Sequence, residues 1–488
     1  MTFNMGLFKR LICLMVLMAL IVPLTHGAEQ SEIKTNYRAT EKYYQSMMSP
    51  SSLPIAQLQQ FIHYLPKGGD IHHHYVGALY AETYLDWVEK KGYCIHRTNF
   101  QIETQVVKGS EDATQECISA SLVRADTLFY TRLLQHWSDK DFDNAQPADL
   151  QFFSTFAYFF PIAYAFNQEG LQILKSRAQD ENLQYIETTF QIAPSRGSKA
   201  SNYKNHLLGS QEDLRINEAL ESSFQELQQD QDFQQAIRDY VESIDILFSQ
   251  INDSAFTIKA QAYALRNEEP NAFFERLYAA FVASQKSSNI VGVNIVGPEN
   301  EFVSMRDYAL QMKMARFLKQ KFPKARLSFH AGELALGMVP PEDLRNHITQ
   351  AVRIAGVERI GHGLDIVYER NFNELMQEMK QKKIAVEINL TSNEFIAKIA
   401  GQSHPIILYA KNGVPIVISS DDEGVSRGSI SQEYLLYLSR YKPSYSTLKK
   451  TIYNSISYSF LSEQEKATQI QLLDDKFARF EKQIALLQ

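Results

Sequence analysis

The sequence is poor in several features that would place it in other classes of protein. Only three of its 488 residues are cysteine, and it contains no basic run, internal repeat or low-complexity tract. Non-specific binding to nucleic acid or to anionic membranes needs clustered cations that displace counterions. The formal net charge of −7 therefore argues against both kinds of partner. The chain is long enough to form a large hydrophobic core.

The first residues have the design of an export signal. Lys9 and Arg10 precede an uncharged apolar run, Leu11–Leu24. Thr25 and Gly27 then fit the small-residue rule for a cut after Gly27, and a cut after Ala28, which would place His26 at the third position, is the alternative. This pattern predicts a cleavable signal peptide over residues 1–27, because the run is shorter than the roughly 20 residues that span a bilayer. An uncleaved anchor is the alternative. Cleavage predicts a periplasmic or secreted protein with no stable membrane anchor and, without its two basic residues, a net charge of −9.

Cysteine usage agrees with export. Cys13 lies in the predicted signal peptide, so the mature chain retains only Cys94 and Cys117. An even pair in an oxidising compartment favours one disulfide. Two reduced, buried thiols are the alternative, since sequence does not supply the geometry of a bridge.

Eight short apolar runs rich in Val, Ile and Phe are candidate strands. They are Gly68–His72, Gln184–Phe190, Phe256–Leu265, Ile290–Val296, Arg326–His330, Arg359–His362, Ala385–Leu390 and Pro415–Ser419. Helical patterns separate them in the second half, as in Glu301–Phe322 and in a segment that opens at Pro340 and ends near Gly356. Alternating strands and helices predict parallel strands joined by crossover helices.

The expected fold is therefore an α/β protein of the (β/α)8 TIM-barrel type. An open doubly wound sheet is the competitor, but it usually carries a glycine-rich phosphate loop after its first strand, whereas Gly68 and Gly69 open that strand here. Residues 28–488 are expected to form one barrel domain. The long intervals after the first two strands predict an inserted subdomain at about 85–150 and a helical insertion at about 200–250.

Polar clusters stand at or just past four of these strands. They are His72-His73-His74, His330-Ala331-Gly332-Glu333, Gly361-His362-Gly363 and Ser420-Asp421-Asp422. Side chains at the carboxyl ends of parallel strands converge on one mouth of a barrel, where distant residues can share a metal. His72 and His74 lie on the same face of a strand, while His73 points away. Taken alone, each cluster also has an explanation that involves no function. The histidines could belong to a turn or be a chance run, and the aspartates could cap a helix.

Imidazole and carboxylate ligands suit Zn²⁺, and a position left to water makes such a site catalytic. Glu333 could serve as an acid. His362, with glycines on both sides, could serve as a general base or proton shuttle. Asp421 and Asp422 point in different directions, so one could bind the metal while the other contacts a substrate.

These clusters, in this order, resemble the adenosine deaminases of the metal-dependent amidohydrolase superfamily. Further matches are Gly297-Pro298-Glu299, Val386-Glu387 and, less specifically, Tyr453-Asn454-Ser455. The resemblance covers residues from about 60 to 475 apart from the insertions. The export signal and the cysteine-bearing insertion are most similar to the secreted adenosine deaminase-related growth factor branch.

The resemblance implies a role for each site residue. His72, His74, His330 and Asp421 would bind one Zn²⁺, Glu333 would protonate the purine ring nitrogen N1, and His362 would orient or deprotonate the metal-bound water. Asp422 would pair with N7, and the Gly297 amide would meet N3. Three features depart from the family pattern. Val76 stands at the expected ribose contact and Asn294 in the purine-edge motif, both where Asp is common, and Glu423-Gly424 follows the paired aspartates where Pro is usual.

The expected activity is hydrolytic deamination of adenosine or deoxyadenosine to inosine or deoxyinosine and ammonia. A different 6-aminopurine substrate, such as a nucleotide, a modified nucleoside or adenine, is one alternative. A catalytically inactive nucleoside-binding or signalling protein is another. The resemblance also implies a homodimer formed through the helical insertion, with a small-molecule purine as the only other partner.

Overall fold

The computed structural model describes residues 31–49, 51–104, 116–197 and 213–487. Eleven strands, numbered here along the chain, occur in this part of the protein. They are β1 Gly68–His74, β2 Cys94–His96, β3 Ile102–Glu103, β4 Cys117–Ser119, β5 Leu183–Ile192, β6 Thr257–Leu265, β7 Ile290–Val296, β8 Ser328–Ala331, β9 Arg359–His362, β10 Ala385–Ile388 and β11 Ile416–Ile418.

Eight of these strands form a closed parallel barrel. One half has the order β1-β5-β6-β7 and the other the order β11-β10-β9-β8, with parallel pairing throughout. Parallel bridges between Val293 and Leu327 and between His73 and Asp421 join the two halves. The eight barrel strands correspond one to one with the eight runs found in the sequence, and the TIM-barrel prediction is confirmed.

Helices surround the barrel strands and cover their outer faces. The α-helices are 31–48, Ile55–Tyr64, Tyr75–Ala78, Ala81–Lys91, Ala120–Ala125, Thr127–His136, Ala148–Phe159, Asn167–Asp180, Asp213–Gln229, Gln231–Ile251, Pro270–Lys286, Phe302–Lys321, His347–Gln350, Phe372–Lys382, Leu390–Ala397, Ile406–Asn412, Ile430–Tyr441, Tyr445–Ser457 and Glu463–Ala485. Strands between a packed interior and a helical layer are buried on both faces, which explains their apolar sequences.

The segment expected to begin as a helix at Pro340 begins later. Residues 341–346 form turns and bends, and α-helix starts only at His347. It then widens into a π-helical turn, Ala351–Ala355, that ends at Gly356 with φ of +75°. Proline can open a helix at its first position, but the chain here uses this pair in a loop.

The interval between β1 and β5 holds a small sheet and several helices. Strands β3, β2 and β4 form an antiparallel sheet in that order. A disulfide joins Cys94 at the start of β2 to Cys117 at the start of β4, as the sequence predicted. Two aromatic-rich helices, Thr127–His136 and Ala148–Phe159, follow.

The interval between β5 and β6 contains two amphipathic helices. In the first, Asp213–Gln229, Leu220 is buried whereas Leu214 is 71% exposed. The second, Gln231–Ile251, begins at Asp230, whose side chain accepts a hydrogen bond from the Phe233 amide. Such a cap satisfies one of the unpaired N–H groups of the first turn.

Three sequence predictions fall wholly or partly outside the described residues. The predicted signal peptide, residues 1–27, lies wholly outside them. The two predicted insertions lie partly outside them, at residues 105–115 and 198–212. Within the described ranges, none of the helices has the length and apolar character needed to cross a membrane.

Candidate functional site

Four side chains meet at the carboxyl ends of three barrel strands. His72 and His74 lie at the end of β1, His330 lies on β8, and Asp421 follows β11. Their potential ligand atoms all lie within 4.8 Å of one another. Asp421 Oδ1 is 3.4 Å from His72 Nε2 and 3.3 Å from His74 Nε2, and the Nε2 atoms of His74 and His330 are 3.1 Å apart. The structure thus brings together the four residues that the sequence suggested as metal ligands.

The other ring nitrogen of each histidine has a hydrogen-bond partner. These partners are Glu387 Oε2 for His72 at 2.6 Å, Thr189 Oγ1 for His74 at 3.0 Å and Asn294 Oδ1 for His330 at 3.0 Å. The oxygens of Glu387 and Asn294 accept from Nδ1–H, so the lone pairs of His72 and His330 lie on Nε2. Partners of this kind orient the histidines of metal sites.

The residues present fit a metal ion. His72 Nε2 is buried without a hydrogen-bond partner. The Nε2 atoms of His74 and His330 lie 3.1 Å apart and face the same space, so one ion could contact both. Three imidazoles and one carboxylate are a donor set that Zn²⁺ prefers.

Buried charges shift the pKa values in this cluster in opposite directions. Burial lowers the pKa of His72, but the nearby carboxylates of Asp421 and Glu387 outweigh burial and raise that pKa to about 10. Burial opposes ionisation of Asp421, yet His72 and the other neighbouring histidines hold the pKa of Asp421 well below the usual range. The carboxylate of Asp421 is therefore ionised and available as a ligand.

Glu333 follows β8 and lies beside the four candidate metal ligands. A second carboxylate holds the loop that carries it in place. Glu299 accepts hydrogen bonds from the backbone amides of Gly332 at 3.1 Å and Glu333 at 2.8 Å. Burial opposes the ionisation of Glu299, but Arg266 and the bond from His347 lower its pKa to about 2. Burial, followed by the charge of Asp421, raises the pKa of Glu333 well above its usual range. This environment favours the protonated form of the Glu333 carboxyl.

His362 stands 3.6 Å from Glu333, measured from Nε2 to Oε1. Burial lowers the pKa of His362 to about 3, so the ring is neutral. Its Nδ1 accepts from the Asn393 amide nitrogen at 2.9 Å, and Asn393 Oδ1 accepts from His404 Nε2 at 3.0 Å.

The direction of this hydrogen-bond chain is set by the backbone. The Ile406 amide donates to His404 Nδ1 at 3.1 Å, which leaves the His404 proton on Nε2. Asn393 must then present its oxygen to His404 and its amide N–H to His362. The neutral His362 ring consequently carries its proton on Nε2, toward Glu333. Because Nε2 already carries a proton, it can donate a hydrogen bond that orients a water molecule, but it cannot remove a proton from that water.

Asp422 and Gly297 line the cavity beside these residues. Asp422 Oδ1 is buried without a hydrogen-bond partner. Burial and the neighbouring charge of Asp421 raise the pKa of Asp422 well above its usual range, so it can donate a hydrogen bond. A Cβ atom at Gly77 would lie only 1.6 Å from Asp422 Oδ1. Glycine is therefore required at position 77 if Asp422 is to keep this position.

Two functional residues have unusual backbone conformations. His362 and Asp421 have φ of +66° and +60°, in the left-handed region that non-glycine residues seldom occupy. Each costs about 1–3 kcal/mol and is typical of functional sites, where surrounding structure enforces it.

A cavity of about 640 Å³ opens from the site. His74, His330, Glu333, His362, Asp421 and Asp422 line one end. Val76, at the expected ribose contact, also lines it. Asn294 does not line the cavity. Its side chain hydrogen-bonds to His330 and to Gln261 Oε1, the latter at 2.7 Å. Asn294 therefore orients a candidate metal ligand, whereas the sequence suggested an effect on substrate recognition.

The sequence did not reveal the residues that hold the site in place. Ser392 donates to Asp421 Oδ2 at 2.6 Å, and Asn393 and His404 form the chain to His362. Glu299 and Glu387 stood in recognised motifs, but nothing assigned them a task. All five are buried polar side chains, and their hydrogen-bond partners lie elsewhere in the sequence. Only the folded structure shows which residues they contact.

The chain thus combines a parallel (β/α)8 barrel with a candidate metal site at the carboxyl ends of its strands, and comparisons with known proteins show which proteins it resembles. A family model described as adenosine deaminase matches residues 237–476. An adenosine deaminase from Yersinia pseudotuberculosis is 34% identical over 152 residues, which cover 31% of this chain and 41% of that protein. One from Escherichia coli is 29% identical over 190 residues, covering 38% of this chain and 51% of that protein. Residues 237–476 of the chain are thus similar to the adenosine deaminases.

The alignments span about two fifths to one half of the length of these curated relatives. Solved structures share the fold over more of the chain. A zinc-bound amidohydrolase from Burkhoderia ambifaria has a TM-score of 0.52 at 15% identity and covers 90% of this chain and 97% of its own. The N6-methyl-AMP deaminase of Arabidopsis thaliana has a TM-score of 0.51 at 16% identity, covering 86% and 98%.

Proposed function

We propose that this protein is a zinc-dependent deaminase of purine nucleosides that converts adenosine or deoxyadenosine to inosine or deoxyinosine and ammonia. The observation that carries the proposal is the buried Glu333, whose surroundings favour the neutral acid, beside three histidines and an aspartate at the end of a cavity. That combination joins an acid to a metal site, which is what hydrolytic removal of an amino group from an aromatic ring requires.

The side chains of the site can divide this reaction among themselves. Zinc would supply Lewis-acid activation of water near neutral pH. Glu333 donates its proton to ring nitrogen N1, which makes C6 electrophilic. His362, through Nε2–H, orients the attacking water, whose oxygen bonds to C6. The C6–N bond then breaks: one proton of the water passes to the amino group, which leaves as ammonia, and the other returns to the Glu333 carboxylate. Asp422, protonated in its buried position, donates to N7, and the Gly297 amide faces N3.

The cavity favours a nucleoside over a nucleotide. Among the described residues that line it, none is Lys or Arg, and Glu301 contributes a carboxylate. Phosphate groups are usually recognised by arginine, lysine or helix N-termini. Related Arabidopsis structures hold IMP and GMP, but their low identity to this chain carries the fold alone. Free adenine would occupy only part of a cavity of about 640 Å³.

Metal analysis combined with ammonia release from adenosine tests the proposal. We expect one zinc per chain and loss of adenine absorbance in step with ammonia. A small panel of adenosine, deoxyadenosine, AMP and adenine separates the alternative substrates. Zinc-loaded protein that deaminates no aminopurine would contradict the proposal and support a nucleoside-binding or signalling protein.

Export and assembly belong to the same proposal. We infer from the leader sequence that the protein acts in the periplasm or outside the cell, and from the family resemblance that it forms a homodimer as in the secreted growth factor branch. N-terminal sequencing of the mature protein should begin at residue 28. Light scattering at micromolar concentration should give twice the mass of the chain. A protein that keeps residue 1, or a monomer, would contradict the corresponding point.

A further inference from the structure

A layer of polar side chains lies inside the barrel beneath the candidate metal ligands. Branched apolar residues usually fill this part of a TIM barrel. The buried members of the layer are Glu187 on β5, Gln261 on β6, Asn294 on β7, Ser328 on β8, Arg359 on β9 and Glu387 on β10. Burying charged groups is costly unless they are paired and hydrogen-bonded. Packing alone does not account for such a layer.

Arg359 joins two carboxylates inside the barrel. Its Nε donates to Glu387 Oε1 at 2.5 Å, and its Nη2 donates to Glu187 Oε2 at 2.6 Å. Strands β5 and β9 lie in opposite halves of the barrel, so the contact with Glu187 crosses the interior. The Tyr458 carbonyl accepts from Nη1 at 3.1 Å, and the centre of the Phe460 ring lies 3.8 Å from the guanidinium carbon. Four residues thus hold the guanidinium in place.

Glu387 transmits this constraint to His72. Its Oε1 accepts from Arg359 and from Ser328 Oγ, the latter at 2.7 Å. Its Oε2 accepts from His72 Nδ1 at 2.6 Å. The carboxylate cannot turn without breaking these bonds, so the His72 ring keeps its Nε2 atom toward Asp421.

Glu187 reaches His330 through two side-chain amides. A carboxylate only accepts hydrogen bonds, so Gln261 must present its Nε2 to Glu187 Oε2, at 3.1 Å. Gln261 Oε1 then accepts from Asn294 Nδ2 at 2.7 Å. Asn294 is left with its oxygen toward His330 Nδ1, at 3.0 Å. The carboxylate of Glu187 therefore sets the direction of every hydrogen bond up to the histidine.

We propose that Arg359 is a positioning residue for the metal site, and that its bridge between Glu387 and Glu187 makes one unit of His72 and His330. This inference rests on the metal site of the proposed function. Arg359 acts through the two carboxylates: one holds His72 directly, and the other holds His330 through the amides. Both histidines consequently keep their protons on Nδ1 and their Nε2 lone pairs toward the same space.

Replacing Arg359 with lysine tests the bridge. Lysine keeps a positive charge between the carboxylates but lacks the planar fork that bonds to both. We expect Arg359→Lys to raise the Kd for Zn²⁺ by about 10–100-fold, the usual effect of losing a residue that orients a metal ligand. Competition with a chelator measures this Kd in the absence of substrate. Arg353→Lys, which alters a surface pair with Glu378, is the matched control and should keep the wild-type Kd.

A double-mutant cycle separates positioning from a general loss of stability. If Arg359 acts through Glu387, Arg359→Lys should raise the zinc Kd by a smaller factor in a Glu387→Gln background than in the wild type, because coupled residues are not additive. A merely structural role would lower the melting temperature and give the same factor in both backgrounds. Equal factors would overturn the inference.

The arm to His330 has a test that does not depend on Arg359→Lys being folded. Gln261→Leu removes no charge but releases the Asn294 amide, which can then turn either its oxygen or its nitrogen toward His330. We expect the ¹⁵N shifts of His330 in zinc-free wild-type protein to report a single tautomer with the proton on Nδ1. The variant should show a second tautomer with the proton on Nε2. Unchanged shifts in the variant would overturn the link to His330.

The outcomes distinguish this inference from the proposed function. Zinc-loaded wild-type protein that deaminates no aminopurine would refute the function, whereas a raised zinc Kd in Arg359→Lys would still support the bridge. The same zinc Kd in wild type and Arg359→Lys would overturn the bridge alone, whatever the turnover. Wild-type protein that binds no zinc would overturn both.

Discussion

Glu333 and His362 show how one environment sets two protonation states. Both are buried and only 3.6 Å apart. Burial disfavours the charged form of each, so it raises the pKa of the carboxyl and lowers that of the imidazole to about 3. The proton therefore resides on Glu333, and the pair enters the reaction as a neutral acid beside a neutral ring.

Replacing Glu333 with glutamine tests its role as the proton donor. The amide has almost the same shape but cannot transfer a proton to N1. We expect Glu333→Gln to keep its zinc and to lose about 10²–10⁴ in kcat, the usual contribution of a positioned acid. Metal analysis and ammonia release measure the two properties separately. A zinc-loaded variant with wild-type turnover would exclude Glu333 as the acid.

The pH dependence of the reaction follows from the same carboxyl. Because the pKa of Glu333 is raised, the required proton is present at neutral pH and is lost only as the pH rises through that raised value. We expect kcat/KM to have a descending alkaline limb, recorded with constant zinc content. A profile that keeps rising in alkali would mean that the deprotonated form is the active one.

The sequence predicts some residues of the site and gives no signal for others. His72, His74, His330 and Asp421 were accessible because their types match metal chemistry and their positions follow apolar strands. Asn393 and His404 were not, since a buried amide and a distant histidine have no periodicity or motif that links them to His362. The left-handed backbone of His362 and Asp421 is also set by packing around them and not by their side chains.

The helix Leu390–Ala397 organises the site at the scale of one element. It supplies Ser392 to Asp421 and Asn393 to His362, and it packs through Phe395 against Phe152, which lines the cavity. Metal ligands and their hydrogen-bond partners act as a unit, and loss of such a partner usually costs about 10–100-fold in affinity or activity.

Asn393 offers a test of this helix. Asn393→Leu removes the hydrogen bond to His362, whereas Asn393→Asp replaces it with a carboxylate that accepts from Nδ1–H and so reverses the tautomer. We expect both variants to lose about 10–100-fold in kcat. The ¹⁵N shifts of His362 should report a protonated Nδ1 in the Asp variant and a protonated Nε2 in the wild type. Identical shifts would contradict the backbone-directed chain.

The disulfide stabilises the inserted sheet by closing the loop between β2 and β4. The bonded cysteines are separated by 23 residues, and a loop of this size is worth roughly 3 kcal/mol in the chain-entropy account. We expect Cys94→Ser with Cys117→Ser to lower the urea midpoint. Reductant should have the same effect on the wild type and none on the double variant. A reductant-sensitive double variant would point to another cause.

Elements were predictable where the chain has one strong pattern. The barrel strands are apolar runs because both of their faces are buried, so their existence and order could be read directly. Strand β3 has only two residues, Ile102 and Glu103, and acquires its structure from pairing with β2. The loop after Pro340 carries a helix-start signal that local packing overrides.

At the scale of the whole molecule, three of the four candidate metal ligands, His72, His74 and Asp421, lie where the first and last strands of the barrel meet. The first and last strands meet at the bridge between His73 and Asp421. His74 N donates to Asp421 O at 3.2 Å, and Asp421 N donates to His72 O at 3.0 Å. A metal ion held by side chains on both sides would strengthen this junction in addition to its chemical role.

Metal removal should therefore destabilise the entire barrel. A ligand that binds only the folded state stabilises it by about 4 kcal/mol at a thousandfold excess over Kd. We expect chelator-treated protein to melt at a lower temperature and to recover its Tm on adding Zn²⁺. Asp421→Asn, which weakens the binding set, should show a smaller zinc-dependent shift. Equal melting temperatures with and without metal would contradict a structural contribution.

The strand that closes the barrel, β11, is also the last of the eight along the chain. Until β11 has docked beside β1, the histidines of β1 lack their carboxylate partner. A metal ion held by all four side chains can therefore be captured only once the barrel has closed.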